Sequence, residues 1–76
     1  MARSKVRNQI RRLRFEFGEM TQQHLADLVS VTRQTIVAIE GEKYSPSLEL
    51  AFRIAKAFGK PIAEVFDYEE NQKNAL

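Results

Sequence analysis

The chain has 76 residues, no cysteine, and 12 basic against 10 acidic side chains, for a net charge of +2. A single domain of this size buries only about 60% of the surface its unfolded chain exposes, so most apolar residues are needed for the core. Disulfides, thiolate metal sites and cysteine nucleophiles are excluded, and the longest apolar run, Ile36 to Ile39, is far short of a membrane span.

The charge is unevenly spread. Arg3, Lys5, Arg7, Arg11, Arg12 and Arg14, half of the basic residues, fall in the first fourteen positions with no acid among them. Glu64, Asp67, Glu69 and Glu70 gather at the other end. This asymmetry suggests a polyanion partner for one face; a solvated, charged helix is the alternative. No apolar stretch follows the basic start, so a secretory signal is not expected. That and the missing cysteine fit a cytoplasmic protein.

Residues 1–7 show no clear periodicity and read as a basic arm or a short extended segment. Asn8 is the expected N-cap of helix 1. Ile10, Leu13 and Phe17 lie at i, i+3 and i+7 on one helical face, and Gly18 stops the helix. Phe15 points away from that stripe, toward a self-association contact or under an arm or tail.

Thr21 caps a second helix over about Gln22 to Val29, with Leu25, Ala26, Leu28 and Val29 on its apolar face. Ser30 and Val31 form a turn. Thr32 caps a third helix over about Arg33 to Glu40, and Gly41 closes it or begins the next loop. In this third helix Ile36 and Ile39 face one way, while Arg33, Gln34 and Val37 face the other. A helix that buries one side and presents Arg and Gln on the other is suited to being read from outside.

The loop Glu42-Lys43-Tyr44-Ser45-Pro46 is polar. Ser47 caps helix 4, with Leu48, Ala51, Phe52, Ile54, Ala55 and Phe58 on a wide apolar stripe, and Gly59 ends it. Pro61 opens a short fifth helix carrying Ile62, Val65 and Phe66. Beyond it the chain turns acidic and polar, and residues 71–76 are expected to be disordered. The predicted organisation is an arm at 1–7, a five-helix all-α domain at 8–68 with its central motif at about 21–41, and a tail at 69–76. A short strand at Val6 or at Phe66 to Glu69 stays open.

From Ile10 to Phe66 the chain resembles the Cro/repressor (Xre-type) helix-turn-helix family. The resemblance rests on IRRLR, TQQHLADLV, VTRQTIVAIE and YSPSLELAFRIAKAFG in this order and spacing. It implies a regulator that binds operator DNA as a symmetric homodimer. Helix 3 would lie in a major groove about 12 Å wide with its first residues on base edges. Carried over, the family pattern places Arg33, Gln34, Thr35 and Val37 at bases. Arg suits guanine O6 and N7, and Gln suits adenine N6 and N7. Gln22, Thr32 and Lys43 would meet phosphates, Gln22 aided by the helix 2 N-terminus. Arg14 and Glu40 match the family's structural ion pair. Dimer contacts would come from Val65, Phe66 and Tyr68.

The chain departs from the family pattern at three places. Ser30 stands where the family has Gly, Gly41-Glu42-Lys43 replaces the usual Asn-Gly-Lys, and the link Gly18-Glu19-Met20 is one residue longer. If Ser30 needs a positive φ, it costs roughly 1 kcal/mol.

Enzyme chemistry is not expected. There is no Gly-rich phosphate loop, and His24, the only histidine, has no carboxylate at catalytic spacing. A metal or other cofactor is likewise not expected. The rival reading is a protein-binding module, such as an antitoxin, using the acidic tail and Phe15.

Overall fold

The computed structural model describes residues 5–43 and 45–69. Arg3, Tyr44 and the expected tail from Glu70 onward lie outside the described residues. In chain order the elements are β1 (Val6–Asn8), α1 (Ile10–Glu16), α2 (Gln22–Val29), α3 (Arg33–Glu40), α4 (Leu48–Phe58), α5 (Ile62–Val65) and β2 (Phe66–Tyr68). The fold is all-α, with a two-stranded ribbon added.

Three helices begin as their capping residues dictate. The Thr21 side chain accepts from His24 N–H at 2.9 Å, Thr32 from Thr35 N–H at 3.2 Å, and Ser47 from Leu50 N–H at 3.1 Å. Helix α4 ends at Gly59, whose φ of 64° is the left-handed value that favours glycine. Helix α1 differs from expectation at its start. Its N-cap is Gln9, not Asn8, because Asn8 pairs with Phe66 in the ribbon. Asn8 still serves the helix, since its Oδ1 accepts from Ile10 N–H at 3.1 Å.

The ribbon resolves the alternative left open for the arm. Strands β1 and β2 pair antiparallel, Val6 with Tyr68 and Arg7 with Asp67. Glu69 N–H extends the ladder to Lys5 O at 2.7 Å. The boundary expected between residues 7 and 8 therefore falls inside a strand, and Val6 and Arg7 fold with the domain.

The core collects Ile10, Leu13, Leu25, Ala26, Val29, Ile36, Ile39, Ile54 and Phe58, with Val65 closing it below. Met20, in the loop after α1, is buried among them. That loop absorbs its extra residue by placing Gly18 and Glu19 at successive positive φ values of 74° and 59°. Four apolar residues expected in the core are exposed: Phe17, Leu28, Leu48 and Phe52. Leu50, not Leu48, is the buried leucine of α4. The Phe17 ring is set edge-on to Phe58 at 5.5 Å.

Candidate nucleic-acid interface

The outward face of α3 depends on how firmly its inward face is held. Ile36 and Ile39 are 0% and 1% exposed. Ala26 of α2 is also fully buried, and its small side chain permits the close approach that two crossing helices need. Between them, Ser30 adopts φ 64°, so a non-glycine does occupy the left-handed position. Its N–H and that of Val31 return to Asp27 O and Ala26 O, which satisfies the last carbonyls of α2. Arg53 of α4 adds a bond from Nη1 to Val29 O at 3.2 Å.

With the inner side fixed, Arg33, Gln34 and Val37 stand exposed together on the other side. Thr35 is half-buried, and its hydroxyl lies 3.0 Å from that of Thr32. The Thr32 oxygen also caps the helix, so both hydroxyls have internal partners. Gln22 is half-buried at the first position of α2, and Lys43 is exposed just past α3. Lys43 is anchored through its backbone, N–H to Ala38 O at 2.9 Å. The side chains of Arg33 and Lys43 have no internal ion-pair partner among the described residues.

Two arginines tie the N-terminal part of the chain to the far end of α3. Arg14 grips Glu40 with two bonds, Nε to Oε1 at 3.0 Å and Nη2 to Oε2 at 2.8 Å. A third bond runs from its Nη1 to Met20 O at 2.8 Å. Arg7 bridges Glu42, at 2.6 Å, and Glu69. The hydrogen bond to Glu42 chiefly, with the Coulombic pull of both carboxylates, holds the Arg7 guanidinium above its ordinary pKa. Asn8 Nδ2 also donates to Ile39 O at 2.8 Å, capping a carbonyl in the last turn of α3.

Three of the five described basic residues in the N-terminal cluster are paired within the molecule. Arg7 and Arg14 hold α3, and Arg12 pairs with Glu16 on its own helix. Arg11 alone of the four described arginines in that cluster has no ion-pair partner among the described residues.

Sequence reasoning missed the neighbours of the α3 stripe. Phe15 and Arg11 stand with Val37 and Gln22 around one open cleft. The signal was Phe15 itself, off the stripe of α1, but its sequence position did not say what it would face. One of the three expected dimer residues needs correction. Val65 is 0% exposed and belongs to the core, because α5 turns it inward beneath α4. Phe66 is half-buried, and Tyr68 is exposed. Among the described residues no three His, Cys, Asp or Glu side chains form a metal site, and no helix is long and apolar enough to cross a membrane.

A helix-turn-helix family model matches residues 18–65. An uncharacterized HTH-type transcriptional regulator of Methanocaldococcus jannaschii is 55% identical over 53 residues, covering 70% of this chain and 80% of the relative. Another from Methanothermobacter thermautotrophicus is 51% identical, covering 87% and 96%. The cryptic phage CTXphi transcriptional repressor RstR of Vibrio cholerae is 40% identical, covering 84% of this chain and 58% of the repressor.

Proposed function

The chain belongs to the helix-turn-helix family of transcriptional regulators, and from that membership we propose that it is a cytoplasmic repressor that binds a pseudo-palindromic operator in duplex DNA as a homodimer. The observation that carries this reading is the split face of α3. Arg33, Gln34 and Val37 are exposed opposite Ile36 and Ile39, which are sealed in the core. Arg33 and Gln34 sit in the first turn, where a helix entering the major groove meets base edges. Arg33 takes guanine, Gln34 takes adenine and Val37 takes a thymine methyl. Thr35, half-buried beside them, reaches the edge of the same groove. Gln22, Thr32 and Lys43 hold phosphates on either side.

Two copies would place their α3 helices about 34 Å apart in successive grooves. Support for a dimer comes from apolar side chains left in solvent: Leu48 and Phe52, four residues apart on α4, and Tyr68 on β2. The role as repressor draws on the phage relative. The protein-binding alternative has less behind it. Glu69, the described part of the acidic tail, is folded onto Arg7, and Phe15 lies beside the α3 stripe.

The test is selection from random duplex DNA, with the winner and bulk DNA titrated against salt. A palindromic winner bound at least ~10³ times tighter than bulk is expected. No enrichment, with binding lost by moderate salt, would overturn the reading and leave charge attraction alone. On the winning site Arg33→Ala should cost roughly 1–3 kcal/mol and relax one base pair.

A further inference from the structure

We infer that α1 forms a second wall of the DNA interface, with Arg11 and Phe15 seating the sugar–phosphate strand that borders the groove occupied by α3. The inference rests on the DNA-binding reading above and extends it to residues outside the helix-turn-helix. Beside the outward stripe of α3 runs an open cleft of about 610 Å³, walled by Arg11, Arg12 and Phe15 on one side and by Gln22 and Val37 on the other. A second cleft shares Arg11, Phe15 and Gln22 and continues to Arg33. The two together make one trough from the start of α1 to the first residue of the recognition helix.

Two of the wall side chains are apolar and open to solvent. Phe15 is 57% exposed and Val37 42%. The rim of the trough is cationic. Arg11 and Arg33 have no internal ion-pair partner among the described residues, and the carboxylate within reach, Glu40, is already held by two bonds from Arg14. A strand of DNA has both features in alternation: anionic phosphates, and deoxyribose rings with apolar edges. A helix with its side chains is about 10–12 Å wide, which fills a major groove of about 12 Å. The strand edging that groove must then pass over whatever flanks α3, and on this side the flank is Arg11 and Phe15. Arg11 supplies a phosphate contact and Phe15 packs against sugar. Neither reads a base, so both fix register and leave sequence choice to α3.

The test uses the full chain, the duplex recovered by selection, and random-sequence duplex. Affinity is titrated against salt for the wild type, Arg11→Gln, Phe15→Ser and Arg33→Ala, and hydroxyl-radical cleavage maps the protected sugars. Arg11→Gln should weaken both duplexes alike and reduce the salt slope by about 1. Phe15→Ser should weaken both severalfold at unchanged slope and lose protection of the flanking sugars while the half-site stays protected. Both side chains are outside the core, so both variants should melt with the wild type. If Arg33→Ala loses discrimination while the two α1 variants bind and protect as the wild type does, the inference falls alone. If the wild type prefers no duplex and protects no sugars, it falls together with the DNA-binding reading. If Phe15→Ser leaves DNA binding intact but dissolves a stable complex with another protein, the trough is a peptide groove instead.

Discussion

Two arginines from the N-terminal part of the chain reach the same end of α3, and they do so under different conditions. Arg14 and Glu40 have side chains only 13% and 11% exposed, and the guanidinium makes three hydrogen bonds. Arg7 is more open, its side chain 35% exposed between Glu42 at 19% and Glu69 at 51%. A shielded pair is little screened by salt, and breaking it strands a charge in a poor solvent. An exposed bridge gains little net energy and weakens as salt rises. One clasp therefore belongs to folding, and the other to the charge presented beside the α3 stripe.

The largest expected effect tests the shielded pair. Arg14→Ala leaves the Glu40 carboxylate and Met20 O without their donor. It should cost about 3 kcal/mol, the lower end for a buried pair because both side chains retain some exposure. For a domain of this size that lowers the melting temperature by more than ~10 °C. A melt within a degree or two of wild type would show that the pair is not a folding element. Replacing both partners, Arg14→Met with Glu40→Leu, should recover most of the loss, since a buried pair gains little over apolar packing.

The contrast between the clasps also shows what a sequence can carry. The helix-turn-helix was legible because Thr21 and Thr32 are strong caps and Ile36 and Ile39 recur at helical spacing. The ribbon was not, because three residues span too little of a two-residue period to be distinguished from a loop. Leu48 and Phe52 were read as core since periodicity identifies a stripe without showing how wide a neighbour covers it. Met20 and Val65 were missed as core for the converse reason: a loop residue and a one-turn helix have no stripe. Arg14 and Glu40 were found only through family resemblance. Arg7 joins partners 35 and 62 residues away, a relation no local pattern encodes.

A smaller effect separates backbone strain from charge at the exposed clasp. Glu42 sits at φ 61°, where the family pattern has glycine. Glu42→Gln and Glu42→Gly both remove one of the two carboxylate partners of Arg7, but only glycine relieves the left-handed backbone. The Gly variant should be more stable than the Gln variant by about 1 kcal/mol in thermal or chemical melts. Equal stability would mean that the turn relaxes around either residue.

The smallest expected change in folding comes from Arg7→Ala, and there the comparison is sharpest. Its melting temperature should fall by no more than ~2 °C at low salt and by less at 1 M, where charges beyond about 3 Å are screened. DNA affinity should respond more than the fold does. Without Arg7 the Glu42 carboxylate loses that guanidinium, and it lies next to Lys43, which is expected on phosphate. Binding to every duplex should weaken at low salt, and the deficit should shrink as salt rises. Adding Glu42→Gln to Arg7→Ala removes that negative charge and should restore affinity without restoring any contact of Arg7. If the double variant stays as weak as Arg7→Ala, Arg7 acts by touching DNA itself or by holding β1 in place. Salt slope distinguishes these two, since a lost phosphate contact lowers it by about 1 and a displaced strand leaves it unchanged.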